Sequence, residues 1–305
     1  MTLTTRAVLV HRRTELDELL WRHGTLGQAA FFLKSRGRAI EEVEERDKAV
    51  KAAMTIVSAA IPPDWRRGTV ERADLPRFGF DPEDIVIAVG QDGLVANLAK
   101  YLDRQLVLGI NPEPDRNPGV LVRHRPASAA RLLRTADPVA ELTPVTELTP
   151  VTELTMVQAD TDDGQRLTAL NELYIGQPTH QTARYALALP DGGAEEQASS
   201  GLIVSTGTGA TGWCRSAWLE RRSSLTLPGP AERRLAWFVR EAWPSPATGT
   251  TRTEGELAAG QALTLSVESD RLVIFGDGIE ADAIELSWGQ SAKIALSTKT
   301  LRILS

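Results

Sequence analysis

The chain has 305 residues, 42% hydrophobic and 24% charged, and its 40 acidic residues against 34 basic ones leave a net charge of −6. That length accommodates two modest domains with separate cores, and the acidic balance gives nucleic acid no general basic face to bind. No run approaches the roughly 20 apolar residues of a membrane helix, and the single cysteine, Cys214, excludes an internal disulfide and suits a reducing compartment such as the cytoplasm.

The opening MTLTTRAVLVHRR has no h-region followed by a cleavage site, so no secretory leader is expected before the first strand, residues 7–10. Leu16, Leu19, Leu20, Leu26, Phe31 and Phe32 recur at helical spacing across 14–36. Ile40, Val43, Val50, Met54 and Val57 do the same across 39–60, where Ile61-Pro62-Pro63 ends the helix. Residues 81–84 (DPED) turn the chain into 85–89, a β-branched run apolar on both faces, as a central parallel strand is. Gly90-Gln91-Asp92-Gly93 then leads into a helix with the stripe Leu94, Leu98, Tyr101, Leu102, and LVLGI at 106–110 is another buried strand. Strand, helix and strand within thirty residues make a βαβ unit.

Beyond about residue 125 helical periodicity fades, and short strands alternate with turn pairs. Asp163-Gly164 between LTMVQA and RLTALNELYIG reads as a hairpin, as does Asp191-Gly192-Gly193 after YALALP. LTLSVES and RLVIFG flank a turn near Asp270. The six-residue repeat ELTPVTELTPVTELT (141–155) is too short for a solenoid, and Pro144 and Pro150 block a helix. Its last copy reads as a strand and the earlier copies as an extended surface insertion. The fold class expected is thus α/β plus all-β: an amino-terminal α/β domain with a parallel sheet (1–124) and a carboxyl-terminal β-sandwich-like domain (125–305), its last residues free to pack back on the first.

Three stretches can carry chemistry. A glycine-rich turn between a buried parallel strand and a helix aims backbone N–H groups outward as an anion site, at the edge where α/β proteins bind ligands. Asp92 there can accept the proton of a hydroxyl attacking a phosphoryl group, or simply cap the helix. In SSGLIVSTGTGATGW (199–213) hydroxyls alternate with glycines, which suits a polyphosphate or a plain polar loop; the lysine of a Walker loop is absent. Asn171-Glu172 can bind ribose hydroxyls or a base edge, or bond its own backbone at a strand end.

Together, and in their order along the chain, these stretches resemble the NAD kinase family, whose motifs run GGDG, an Asn-Glu pair, and a Gly/Thr-rich loop ending in an aromatic. GINPEPDRNPG (109–119), ALNELYIGQP (169–178) and the 199–213 loop are most similar to the mitochondrial-type branch. The resemblance implies the α/β plus β-sandwich fold and a kinase that moves the γ-phosphoryl of ATP, with Mg²⁺, to the 2′-hydroxyl of the adenosine ribose of NAD⁺. It implies Asp92 as the base and Gly90, Gln91, Gly93, Thr206, Gly207, Thr208 and Gly209 along ATP phosphates. Asn171, Glu172, Thr211, Trp213 and Ser216 are implied for the acceptor dinucleotide, with the Trp213 ring available to stack on a base. Asp277 in FGDGIEAD resembles a later family Asp-Gly and equally fits a β-turn; Arg116 and Arg123 are further phosphate candidates. No residue is implied as a protein metal ligand. A homodimer is implied as the assembly, and no nucleic acid or membrane as partner. Two departures stand out. Gln91 replaces the second glycine of GGDG, which costs roughly 1–2 kcal/mol if that position needs φ > 0, and Leu94 replaces the usual threonine. They leave open a relative acting on another nucleoside or sugar hydroxyl, or a catalytically weak nucleotide-binding pseudoenzyme.

Overall fold

The computed structural model of the protein describes residues 5–136 and 150–304. The chain divides into two compact units, Met1–Thr152 with Arg302–Ser305, and Glu153–Leu301. Residues 125–136 therefore belong to the first unit, whereas the sequence reading starts the second domain at 125.

In chain order the first unit comprises β1 (Arg6–His11), α1 (Glu15–His23), α2 (Leu26–Lys34), α3 (Ile40–Ala60), β2 (Arg66–Glu71), β3 (Asp84–Val89), α4 (Asp92–Ala99), β4 (Leu106–Ile110) and α5 (Ala129–Thr135). The segment 14–36 forms two helices. Thr14 and Asp17 cap α1 reciprocally, each side chain accepting the other's backbone N–H at 3.1–3.2 Å, and Gly24 at φ 79° breaks the helix before Thr25 caps the next. The strands are all parallel in the order β2-β1-β3-β4. Every residue of β3 is buried, as its unbroken apolar run demands of a strand covered on both faces. Leu9, Ile85, Ile87, Leu108 and Ile110 pack with Ala53 and Val57 of α3 and Leu132 and Leu133 of α5. Arg302 and Ile303 extend this sheet by pairing parallel with Leu106 and Val107.

The second unit is antiparallel. Its strands are β5 (Val151–Thr161), β6 (Arg166–Ala169), β7 (Glu172–Gly176), β8 (Ala183–Ala188), β9 (Ala194–Ser199), β10 (Leu202–Ser205), β11 (Arg234–Val239), β12 (Glu254–Ala258), β13 (Ala262–Val267), β14 (Arg271–Gly276), β15 (Ile279–Ser287) and β16 (Ser291–Leu304); α6 (Trp213–Arg221) follows β10. One sheet runs β12-β11-β10-β7-β14-β15, and the other runs β16-β13-β8-β9, with β5 also paired to β16 and β6 paired to β5. Leu173, Ile175, Val204 and Trp237 from the first meet Val157, Tyr185, Leu265 and Ile294 from the second in one core, a sandwich.

The β5–β6 and β8–β9 hairpins close at Gly164 and Gly192, both at positive φ. The turn near Asp270 instead passes from β13 in one sheet to β14 in the other. RLTALNELYIG likewise is not one strand: it breaks at Leu170-Asn171, between β6 and β7 in different sheets. The last copy of the 141–155 repeat begins β5, and residues 141–149 lie outside those described.

Candidate functional site

In the first unit the turn after β3 presents Gly90 through Gly93. Gly90 N–H donates to the Ile110 carbonyl at 3.0 Å, anchoring the turn to β4. Gln91 has φ −105° and ψ 167°, ordinary extended backbone, so glutamine carries none of the left-handed strain its place in the motif raised. Its side chain is exposed and does not cap α4. A Cβ on Gly93 would meet nothing within 4 Å, so the chain's own packing does not demand glycine there. Leu94 is buried, its Cδ2 3.1 Å from where a Gly90 side chain would begin.

Asp92 is the first residue of α4 and does not cap it; its carboxylate gathers a loop thirty residues on. Oδ2 accepts Val120 N–H at 2.8 Å, and Oδ1 accepts Leu121 and Val122 N–H at 2.8 and 2.9 Å. Of about four lone-pair directions on a carboxylate, three are taken and one remains on Oδ2.

Buried Asn111 ties the same loop down. Its Nδ2 donates to the Asn117 carbonyl at 2.7 Å, its Oδ1 accepts Glu113 N–H at 3.0 Å, and its backbone N–H reaches the His124 carbonyl at 2.8 Å. Sequence reasoning passed over Asn111 although it lies within the quoted GINPEPDRNPG; an asparagine before Pro112, where a strand becomes a loop, was the available signal. Arg123 Nε donates to the Val120 carbonyl at 2.6 Å. Arg116 pairs with Glu45 at 3.2 Å and Glu113 at 3.9 Å, so neighbouring acids already meet its charge.

In the second unit the other motifs meet at the Leu170-Asn171 corner. Asp277, in the β14–β15 turn at φ 54°, accepts Leu170 N–H at 2.9 Å and Asn171 N–H at 2.6 Å. The β-turn reading of Asp277 is therefore right, and its carboxylate also secures the corner. From the other side Thr206 Oγ1 donates to the Leu170 carbonyl at 2.5 Å, and Thr206 N–H and Ser205 Oγ donate to the Asn171 carbonyl at 2.9 and 3.2 Å.

Thr206 Oγ1 also accepts Thr208 N–H at 3.1 Å and Gly209 N–H at 3.3 Å, so the start of the loop closes on itself. A Cβ on Gly207 would stand 2.0 Å from the Gly229 carbonyl oxygen, and one on Gly209 2.3 Å from that of Asn171. Close approach of chain to chain thus accounts for both glycines. Thr208 Oγ1 is buried without a hydrogen-bond partner among the described residues. Thr211, exposed, donates its hydroxyl to the Thr208 carbonyl at 3.0 Å, and the exposed Ser216 hydroxyl makes a long 3.5 Å contact to the Gly212 carbonyl. Trp213 begins α6 with its ring stacked on Tyr174, centroids 5.5 Å apart, and the Arg240 guanidinium 5.1 Å away, so protein groups supply the stacking expected of a ligand.

Burial, with the nearby Asp277 charge second, pushes the Glu172 carboxyl up to about 7. The raised value means that folding favours the protonated acid. Its contribution is intact below about pH 4.5, where both states hold the proton, and is lost as pH rises through 7. The distance from 4.5 to about 7 corresponds to roughly 3 kcal/mol at most. Glu172→Gln is accordingly expected to match the wild type near pH 4 and to exceed its stability by about 2–3 kcal/mol at pH 8, read from urea midpoints at the two pH values. Equal midpoints at pH 8 would contradict the strained carboxylate. Cys214 is buried on α6, and burial pushes its thiol up to about 11, which leaves it inert at neutral pH.

No family model matches the chain, and no curated protein sequence matches it. Among solved structures 118 chains match. One is the crystal structure of an NAD kinase from Archaeoglobus fulgidus in complex with ATP, with 17% identity over 98% of this chain and 93% of that one and a TM-score of 0.56. At such identity the likeness is one of fold: a parallel α/β unit and an antiparallel β unit, the architecture of NAD kinase.

Proposed function

We propose that the protein transfers the γ-phosphoryl of ATP to the 2′-hydroxyl of the adenosine ribose of NAD⁺, giving NADP⁺, as a member of the mitochondrial-type branch of the NAD kinase family. The observation that carries this reading is Asp92: in a chain whose fold follows an NAD kinase over 98% of its length, the motif carboxylate stands at the carboxyl end of the parallel sheet with one lone pair of Oδ2 unspent. Phosphoryl transfer passes through a loose transition state and needs alignment more than strong base chemistry. A carboxylate fixed by three N–H groups orients a hydroxyl through its remaining lone pair and takes its proton late.

The residues fit a triphosphate on one point of packing: the space over Gly93 is open to an approaching oxygen. Mg²⁺ is assigned to the ATP phosphates, where it would neutralise charge on the group in transit. Asn171, Glu172, Thr211 and Ser216 are assigned to the acceptor, and Thr208, whose hydroxyl lacks a partner among the described residues, to the phosphates. The reading includes a cytoplasmic homodimer, and among the described residues no helix is long and apolar enough to cross a membrane.

One observation favours a second reading, a nucleotide-binding protein that does not turn over: the same three N–H bonds give Asp92 a structural task that needs no chemistry. Incubation with Mg-ATP and a panel of NAD⁺, NADH, nucleosides and sugars, following ADP release, separates the two. NAD⁺ is expected to give the largest rate. A different best acceptor rejects NAD⁺ as the substrate, and no release with any acceptor leaves the binder.

A further inference from the structure

We infer that the α1–α2 hairpin carries a second binding site, for a small planar ring bearing a phosphate or carboxylate. A cavity of about 570 Å³ opens between the end of α1 and the length of α2, lined by Arg22, His23, Gln28, Phe31, Phe32 and Arg36 among others. This lies within the size range of small-molecule sites.

Three features give the cavity its chemistry. The first is charge. Residues 19–40 contain no aspartate or glutamate but hold Arg22, Lys34, Arg36 and Arg38, in a chain whose net charge is −6. Arg38 is bonded to Glu15, whereas among the described residues Arg22 and Arg36 form no ion pair. The Arg36 guanidinium lies 3.8 Å from the Phe32 centroid and donates to the Phe32 carbonyl at 3.2 Å and Ser35 Oγ at 3.0 Å. A guanidinium held this way keeps donors in reserve for an oxyanion.

The second feature is His23, whose ring lies 4.4 Å from that of Phe32 at a 37° tilt and whose Nε2 is buried with no hydrogen-bond partner among the described residues. Buried polar atoms normally find partners, so His23 is an unusual residue in the wall of this cavity. The third is Phe31, 76% exposed beside these groups. A bare aromatic wall next to two cations suits a flat ring whose acid group reaches the guanidinium groups. Nothing in the proposed kinase reaction uses these residues.

Phenyl phosphate is the probe. Titrated calorimetrically into the full chain, it is expected to bind once per chain and saturably, with inorganic phosphate at least about tenfold weaker for want of a ring. Loss of charged hydrogen bonds in the Arg22→Gln/Arg36→Gln double variant, or of the wall in Phe31→Ala, is expected to weaken it about tenfold or more. These positions are on the surface, and unchanged thermal unfolding midpoints together with unchanged ATP binding would show that the variants are intact. Absence of saturable binding, or binding equal in all three proteins, overturns the proposal, since the probe would then sit elsewhere. It is also overturned if, without probe binding, phosphatidylglycerol vesicles pellet the protein through Arg22 and Arg36, or Phe31→Ala turns a dimer into monomers. The face would then belong to a membrane or to a second copy.

Discussion

Asp92→Asn is expected to lower ADP release with Mg-ATP and NAD⁺ by roughly 10²- to 10⁴-fold, the range for loss of a positioned proton acceptor, while ATP still binds. In the variant the amide oxygen serves Leu121 and Val122 N–H, where Oδ1 now sits, and the NH₂ group takes the place of Oδ2. It then faces Val120 N–H and the substrate hydroxyl as a donor, so the lone pair that would receive the proton is gone. The exposed Val120 N–H turns to water, so the stability loss stays near about 1 kcal/mol. Asp92→Ala goes further. It strands the N–H groups of Leu121 and Val122, both nearly inaccessible to solvent, at about 1–3 kcal/mol each. Turnover and ATP affinity in both variants, with urea unfolding alongside, separate chemistry from scaffolding. Full activity in Asp92→Asn would remove this residue from the reaction.

Gly109→Ala is expected to be as damaging without touching a reacting group. The new methyl would lie 2.1 Å from the Leu121 carbonyl oxygen and 2.9 Å from Val122 Cα. Both are backbone atoms, with no flexible side chain to yield, so the 120–122 loop must move away from β4 and off Asp92. Overpacking of this kind costs about 3 kcal/mol or more, and activity should fall with stability. Gly93→Ala supplies the contrast. Its methyl enters open space and alanine improves a helical position by roughly 0.5–1 kcal/mol, so the protein should become slightly more stable while ATP affinity falls. Unfolding midpoints and ATP titration of the two variants read both effects; unchanged ATP affinity in Gly93→Ala would argue that no phosphate passes there.

Legibility in the sequence followed the range of the interactions. Residues 85–89 announced a buried parallel strand because their apolar run is a local property, whereas the helical spacing across 14–36 masked the break at Gly24 and Thr25 that makes it two helices. The Leu170-Asn171 corner was hidden because apolar residues keep the same alternating phase on both sides of it, Leu167 and Ala169 before and Leu173 and Ile175 after. The partner that bends the chain there, Asp277, lies 107 and 106 residues away along the chain. The same holds for Asp92, whose motif was evident but whose three N–H partners, 28 to 30 residues on, were not. Gln91 shows the converse: a glycine-rich motif suggested a left-handed position, and the backbone proves extended. The Gly207 and Gly209 spacing looked like a ligand cradle, while the Gly229 and Asn171 carbonyls behind it left no mark in the pattern.

The return of Arg302 and Ile303 to pair with β4, with the Leu304 carbonyl 3.2 Å from His124 Nε2, has a bearing on biosynthesis. During translation the parallel sheet must wait, one border unprotected, until some 150 further residues have left the ribosome, since residues 153–301 intervene. The nascent α/β portion is thus open to strand capture by other chains until the last residues of the chain emerge.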